Sequence, residues 1–151
     1  MNPVTFLISE LKRRRVLPDS NIIVGKSTTI TPSTITIGNI QIGEGCLIND
    51  NCYFAAPGKA SIKIGNNVLV GPYTMIHAIG HQFNGSQPVS HQPKTEGKIV
   101  VGDGVWLGGR CTIINGRVGA HSVIGACSLV THDIPPYSVA WGVPCQVRRS
   151  R

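Results

Sequence analysis

From Ile42 onward an aliphatic or aromatic residue returns at every sixth position: Ile42, Ile48, Phe54, then Ile64, Val70, Ile76, then Val101, Leu107, Ile113, then Val118, Ile124, Val130. Val24, Ile30 and, more weakly, Thr36 precede them in the same phase. The next position is usually glycine, as at Gly25, Gly43, Gly65, Gly71, Gly102, Gly108, Gly119 and Gly125. The fifth position of the hexad is small or β-branched, as in Cys46, Cys52, Val68, Thr74, Val105, Cys111, Ser122 and Ser128. An extended strand repeats every two residues and an α-helix every 3.6, so neither alone writes this pattern. A period of six fits one short strand plus one turn, and three hexads close a triangular coil with the aliphatic residue pointing inward. The glycine is expected to supply the turn conformation that side chains resist. Stacked coils form a parallel β-helix whose core is a ladder of Ile, Val and Leu, so the fold class is all-β.

The interruptions of the period locate what is added to this frame. Phe54 and Ile64 are ten residues apart, which predicts a small bulge around Pro57-Gly58-Lys59. Ile76 and Val101 are twenty-five apart, so a loop over 78–98, carrying His81 and His91, leaves the coil and returns. Long loops inside compact domains are uncommon and often functional. Ile113 and Val118 are only five apart, which leaves the register of that coil open. At the N-terminus, Asn2 and Pro3 read as a cap and first turn, and Val4, Leu7, Ile8 and Leu11 form one apolar stripe. Residues 1–20 are therefore expected to form a short helix capping the prism, 21–132 the β-helix, and 133–151 a C-terminal extension. Pro135, Pro136 and Pro144 are expected to keep that extension outside the coil.

Composition narrows this further. A chain of 151 residues is one domain. With 18 Gly, 10 Pro and only 5% aromatic residues, it has few large side chains for a wide core, which suits a thin prism. The formal charge of +7 lies substantially at the ends, in Lys12, Arg13, Arg14 and Arg15 and in Arg148, Arg149 and Arg151. No basic face interleaved with stacking aromatics occurs between residues 20 and 145, which argues against nucleic acid as a partner. Solubility, or attraction of an anionic small molecule or membrane surface, remains. No apolar run is long enough for an integral membrane helix. The basic residues follow the apolar run Val4 to Ile8, the reverse of an export signal. Cys46, Cys52, Cys111, Cys127 and Cys145 are odd in number with no CxxC pair, so reduced thiols and a cytoplasmic location are expected.

The segments Ile64-Gly65-Asn66-Asn67-Val68-Leu69-Val70-Gly71-Pro72 and Val101-Gly102-Asp103-Gly104-Val105-Trp106-Leu107-Gly108-Gly109 resemble the hexapeptide-repeat acyltransferases. The resemblance runs from about Val24 to Arg149 and is strongest to the maltose and galactoside O-acetyltransferase branch and to O-acetyltransferases of bacterial surface glycans. It implies a left-handed parallel β-helix, a homotrimer with inter-subunit active sites, and acetyl-CoA as co-substrate. Gly80-His81 looks like the family's catalytic motif, and Gln82-Phe83, Pro88 and Gln92 match the His-x-Phe and Pro-x3-Gln spacing of the surface-glycan branch. The resemblance thus implies His81 as general base; transfer from a thioester to a hydroxyl needs such a base, and neutral imidazole suits it near pH 7.

By the same resemblance Trp106, Gly109, Ala126, Thr131, His132, Gln146 and Arg149 match coenzyme-binding positions. His132 and Gln146 stand where relatives often have Lys and Arg, which shifts phosphate binding toward Arg148, Arg149 or Arg117. Asn49 matches an asparagine that hydrogen-bonds the sugar. Ala55-Ala56-Pro57-Gly58 replaces the carboxylate of the galactoside enzymes, leaving Asp50 or His91 as candidates on the acceptor side.

Rival chemistry is weaker. His121 and His132 are flanked by coil residues, and His77 stands at the root of the loop. His77 and His81 find no third ligand for zinc, so no metal is expected. Cys111 and Cys127 have no sequence-adjacent base to make either a nucleophile. Gly25-Lys26-Ser27 matches the end of a phosphate-binding loop, but Ser20 stands where its first glycine is required. The resulting expectation is an acetyl-CoA-dependent O-acetyltransferase acting on a sugar or surface-glycan precursor. N-acetylation of a nucleotide-linked amino sugar or another amine is the nearer alternative, and a non-catalytic β-helical scaffold the more distant one.

Overall fold

A computed structural model describes residues 21–151, so the expected capping helix and the Lys12–Arg15 cluster lie outside the described residues. β1 (Asn21–Val24), β2 (Thr29–Ile30) and the first half of β3 (Ile35–Ile42) make the first coil. The second half of β3, β4 (Leu47–Ile48) and β5 (Tyr53–Ala56) make the next, followed by β6 (Ser61–Ile64), β7 (Leu69–Val70) and β8 (Met75–His77). After a hairpin of β9 (Ile79–His81) and β10 (Lys94–Glu96) the coils resume with β11 (Lys98–Val101), β12 (Trp106–Leu107) and β13 (Thr112–Ile113), then β14 (Arg117–Val118), β15 (Val123–Ile124) and β16 (Leu129–Val130). β17 (Ser138–Trp141) and β18 (Gln146–Ser150) end the chain. Each coil adds one parallel strand to each of three faces, and the hexad residues from Ile42 to Val130 are all buried. Burial of each such aliphatic side chain is worth about 1.5–3 kcal/mol. Val24 is 43% exposed because the first coil has a described neighbour on one side only. Among the described residues no helix is long and apolar enough to cross a membrane.

The glycines act differently from the expectation. Those after the hexad aliphatics are not left-handed. A Cβ at Gly102 would lie 2.6 Å from the nitrogen of Ala120, and one at Gly108 would lie 2.6 Å from that of Ala126. They are glycine because the next coil passes too close for a methyl group. The left-handed corner residue lies two positions further on and carries a side chain in most coils, as at Asn51, Asn67, Tyr73, Arg110, His121 and Cys127, with φ between 53° and 60°. The fifth-position side chains turn inward and are buried, and several that carry a donor reach the next coil's glycine carbonyl. Thr74 Oγ1 donates to Gly108 O at 3.1 Å, Cys111 Sγ to Gly125 O at 3.2 Å and Cys46 Sγ to Gly65 O at 3.1 Å. No buried side-chain polar atom among the described residues lacks a partner.

The open register is settled and one further expectation changes. The short hexad keeps its register, with Val100 beside Arg117 and Val101 beside Val118; the missing residue is absorbed at a corner where Gly116 has φ +89°. The proline-rich tail does not leave the prism at 133. Ile134 bridges to Val118 and Val139-Ala140 pair in parallel with Val123-Ile124, while Ile134, Ala140 and Cys145 continue the core. Only after Pro144 does the chain turn back as the exposed antiparallel strand β18. The prolines are accommodated because they sit in the exposed corners of this last coil.

Candidate active site

The bulge and the long loop leave the prism at the same edge, between the third face (β5, β8, β13, β16) and the first (β6, β11, β14). The loop is an antiparallel hairpin, with Ile79 opposite Glu96, Gly80 opposite Thr95 and His81 opposite Lys94. Its root is stitched to the coils by Gly97 N–H to Ala78 O at 2.8 Å and Ser61 N–H to Gly97 O at 3.1 Å. Glu96 adds an anchor to the bulge, where its Oε1 accepts from Lys59 N–H at 3.0 Å above Gly58. Asn39 closes the bulge from below, its Nδ2 donating to the carbonyls of Gly58 and Ala60 at 2.7 and 3.1 Å.

Between hairpin and third face lies a cleft of about 270 Å³, with His81, His77, Tyr53 and Lys94 in its walls. His81 is exposed at its rim, and His77 is half-buried with its ring 6.2 Å from that of Tyr53. His91 lies farther out, in a single 3-10 turn (Val89–His91), and does not line the cleft. Tyr53 and Lys94 were not singled out from the sequence. The hairpin closes through the twelve residues 82–93, so no short turn in the sequence fixes the register that sets Lys94 against His81.

The positions matched to coenzyme binding separate into groups. Trp106 is 54% exposed on the second face (β7, β12, β15, β17), and Gly109 and Ala126 lie at the edge between the second and third faces. Thr131 and His132 lie at the hairpin's own edge, in contact through Oγ1 and Nδ1 at 3.3 Å. Gln146 and Arg149 project from β18, and Arg148 stacks its guanidinium 5.8 Å from the Trp141 ring centroid. A Cβ at Gly109 would meet nothing nearer than Pro72 O at 3.4 Å, so the fold itself does not require this glycine. The small-residue edge can thus accept a ligand against its backbone, with arginines nearby to pair with phosphate.

The acceptor-side candidates Asn49 and Asp50 are also at the edge between the second and third faces, away from His81. Asn49 Nδ2 donates to Val70 O at 3.0 Å and Asp50 Oδ1 accepts from Ser33 Oγ at 3.1 Å. One chain therefore does not bring them to His81. All five cysteines are free; Cys46, Cys52, Cys111 and Cys145 are buried and Cys127 is exposed. Burial pushes the Cys111 thiol up to about 11, which keeps it protonated and poorly nucleophilic near neutral pH. Among the described residues no group of three or more His, Cys, Asp or Glu side chains is placed to hold a metal ion.

No protein-family model matches the chain. It is 36% identical over 146 residues to galactoside O-acetyltransferase of Escherichia coli (strain K12), covering 91% of this chain and 68% of that protein. With galactoside O-acetyltransferase of Lactococcus lactis subsp. lactis (strain IL1403) the identity is 38% over 117 residues, 74% of this chain and 53% of the relative. The chain thus spans 68% and 53% of the length of these two relatives. Among solved structures, galactoside acetyltransferase in complex with coenzyme A superposes with a TM-score of 0.82 at 30% identity, covering 99% of this chain and 73% of that one. A hexapeptide-repeat acetyltransferase from Vibrio cholerae O1 biovar eltor, complexed with acetyl coenzyme A, does so at 0.81 and 27%, covering 99% and 79%. With the hexads in the core, the coils in parallel register and these relatives matched along most of its length, the chain belongs to the hexapeptide-repeat acetyltransferases, the family of galactoside O-acetyltransferase.

Proposed function

We propose that the chain transfers acetyl from acetyl-CoA to a hydroxyl of a sugar or surface-glycan precursor, with His81 as general base. The observation that carries this is His81 itself, an imidazole at the rim of a cleft on a hairpin anchored at its root and by Glu96. The acceptor oxygen attacks the thioester carbonyl carbon while His81 removes the hydroxyl proton. The tetrahedral intermediate then expels the coenzyme sulfur, which takes that proton back from the imidazolium, giving an acetyl ester and free coenzyme thiol. Cys111, buried and held as a thiol, is unsuited to carry the acetyl group, and direct transfer needs no base other than His81. Buried, unpaired cysteines fit a reducing, cytoplasmic setting.

The separation of the site residues supports an inter-subunit site. The outward column of the first face mixes Gln41, Lys63 and Arg117 with Val100, in the order Gln41, Lys63, Val100, Arg117, whereas Leu47, Leu69 and Trp106 on the second and Tyr53 and Met75 on the third are apolar. Contact between the hairpin edge of one chain and the small-residue edge of the next is heterologous, and a threefold ring closes it. Asn49, Asp50, Trp106, Gly109 and Ala126 of one chain would then face His81 of another.

The decisive experiment is His81→Ala, assayed by coenzyme thiol release with a panel of sugars and amino sugars. Turnover is expected to fall about 10²–10⁴-fold, with coenzyme affinity and oligomeric state retained. A folded variant that keeps most of its turnover rules out His81 as the base. Faster transfer to amino sugars than to their hydroxyl counterparts would establish the N-acetylation alternative.

A further inference from the structure

Lys94 is the direct cross-strand partner of His81 in the hairpin, and both line the cleft. Directly opposed residues on antiparallel strands have Cβ atoms about 4.5–5.5 Å apart, so a flexible ammonium group ranges over the space beside the imidazole. No carboxylate is among the residues lining the cleft. Glu96, two residues along the same strand, has an oxygen committed to Lys59 N–H, and the Asp50 that a shared site would bring from a neighbouring chain already has an oxygen engaged by Ser33 Oγ. Among the described residues Lys94 has no ion-pair partner.

The side chains that line the cleft of this chain therefore offer an ammonium group, two imidazoles and the Tyr53 hydroxyl, and include no carboxylate, the side-chain group that best receives hydrogen bonds from a neutral sugar's hydroxyls. Its chemistry complements a substrate that brings negative oxygen atoms with it. We propose that the acceptor carries an anionic group, a carboxylate or a phosphate, next to the hydroxyl that is acetylated, and that Lys94 binds this group. Lysine acts here as a mobile point charge, able to follow either geometry. The inference deepens the acetyl-transfer reading and rests on His81 marking the reacting hydroxyl.

The test compares acceptors that differ only in charge: glucose, glucuronate and glucose 6-phosphate, with galactose and galacturonate as a second set. Initial rates of coenzyme thiol release are measured on the full-length chain, and binding of the same sugars is followed by ligand-observed NMR in the presence of coenzyme A. A charge-assisted contact predicts that a charged acceptor is preferred over its neutral parent by roughly ten- to a hundredfold in kcat/KM or in affinity. Lys94→Gln should bring that ratio close to one, and Lys94→Arg should restore much of it. Preference for the uronate or for the sugar phosphate identifies which anion is used.

Equal or better use of the neutral parents overturns the proposal, as does a preference that survives Lys94→Gln. Weakened acetyl-CoA binding in Lys94→Gln with no change in acceptor preference also overturns it, assigning the lysine to the coenzyme. The NMR arm decides the matter even if none of these sugars is acetylated. Failure of the base assignment reads separately, as turnover retained by His81→Ala, and leaves the anion preference measurable.

Discussion

A methyl group added at Gly108 would lie 2.6 Å from the backbone nitrogen of Ala126, whereas at Gly109 the nearest atom would be Pro72 O at 3.4 Å. The first position is small for the coil's sake, while the second has no such demand on it. Gly108→Ala should therefore force the next coil outward and cost about 1–3 kcal/mol, the usual scale of overpacking, visible as a lower thermal midpoint. Gly109→Ala should melt as the parent does and instead weaken coenzyme A binding several-fold by calorimetry. Unchanged affinity in Gly109→Ala would move the coenzyme away from this edge. The hexad pattern alone does not separate them: Gly108 follows Leu107 and Gly109 comes next, and it is the resemblance to the family that sets Gly109 apart. The same limit explains why the hexad glycines were expected to make turns: sequence displays the absence of a side chain, and only the stacked neighbour shows why it is absent.

At the level of the element, the hairpin is held at its root by backbone bonds and, on its returning strand, by the Glu96 carboxylate on Lys59 N–H. Glu96→Ala removes the second hold without touching the core. Amide exchange at Gly80, Gln82 and Thr95, whose N–H groups bond across the hairpin, should then accelerate, turnover should drop several-fold through looser placement of His81, and the thermal midpoint should stay near that of the parent. Unaltered exchange and turnover would mean that the backbone bonds suffice. The existence and extent of this loop were legible in the sequence because a period of six makes any insertion visible as a break in phase. Its internal pairing was not, and with it Lys94 was missed. The last coil was hidden for a related reason: Val130 and Ile134 are only four residues apart, and Ala140 and Cys145 replace large aliphatics in its core, so the period fades while the stacking continues.

For the whole molecule, the position of the residues makes a prediction about sharing. His81 belongs to the hairpin edge, Gly109 and Ala126 to another edge, and Trp106 to the second face. If each site takes its base from one chain and its coenzyme groove from the next, two defective chains can complement one another. His81→Ala lacks the base but keeps a groove; Trp106→Ala combined with Arg149→Ala keeps the base but damages the groove. In a ring of three, any mixture of the two kinds contains one interface where an intact hairpin meets an intact groove. Random reassembly from equal amounts, after joint unfolding and refolding, should then recover about a quarter of the parental activity from two preparations that are each nearly inactive. Light scattering on the same samples should report a trimer throughout. A site built within one chain predicts no recovery at any mixing ratio, and a monomer of full activity would remove the shared site altogether. The activity recovered can come only from the hairpin of the groove-defective chain acting on the groove of the His81→Ala chain, so a recovery near one quarter assigns base and groove to different subunits.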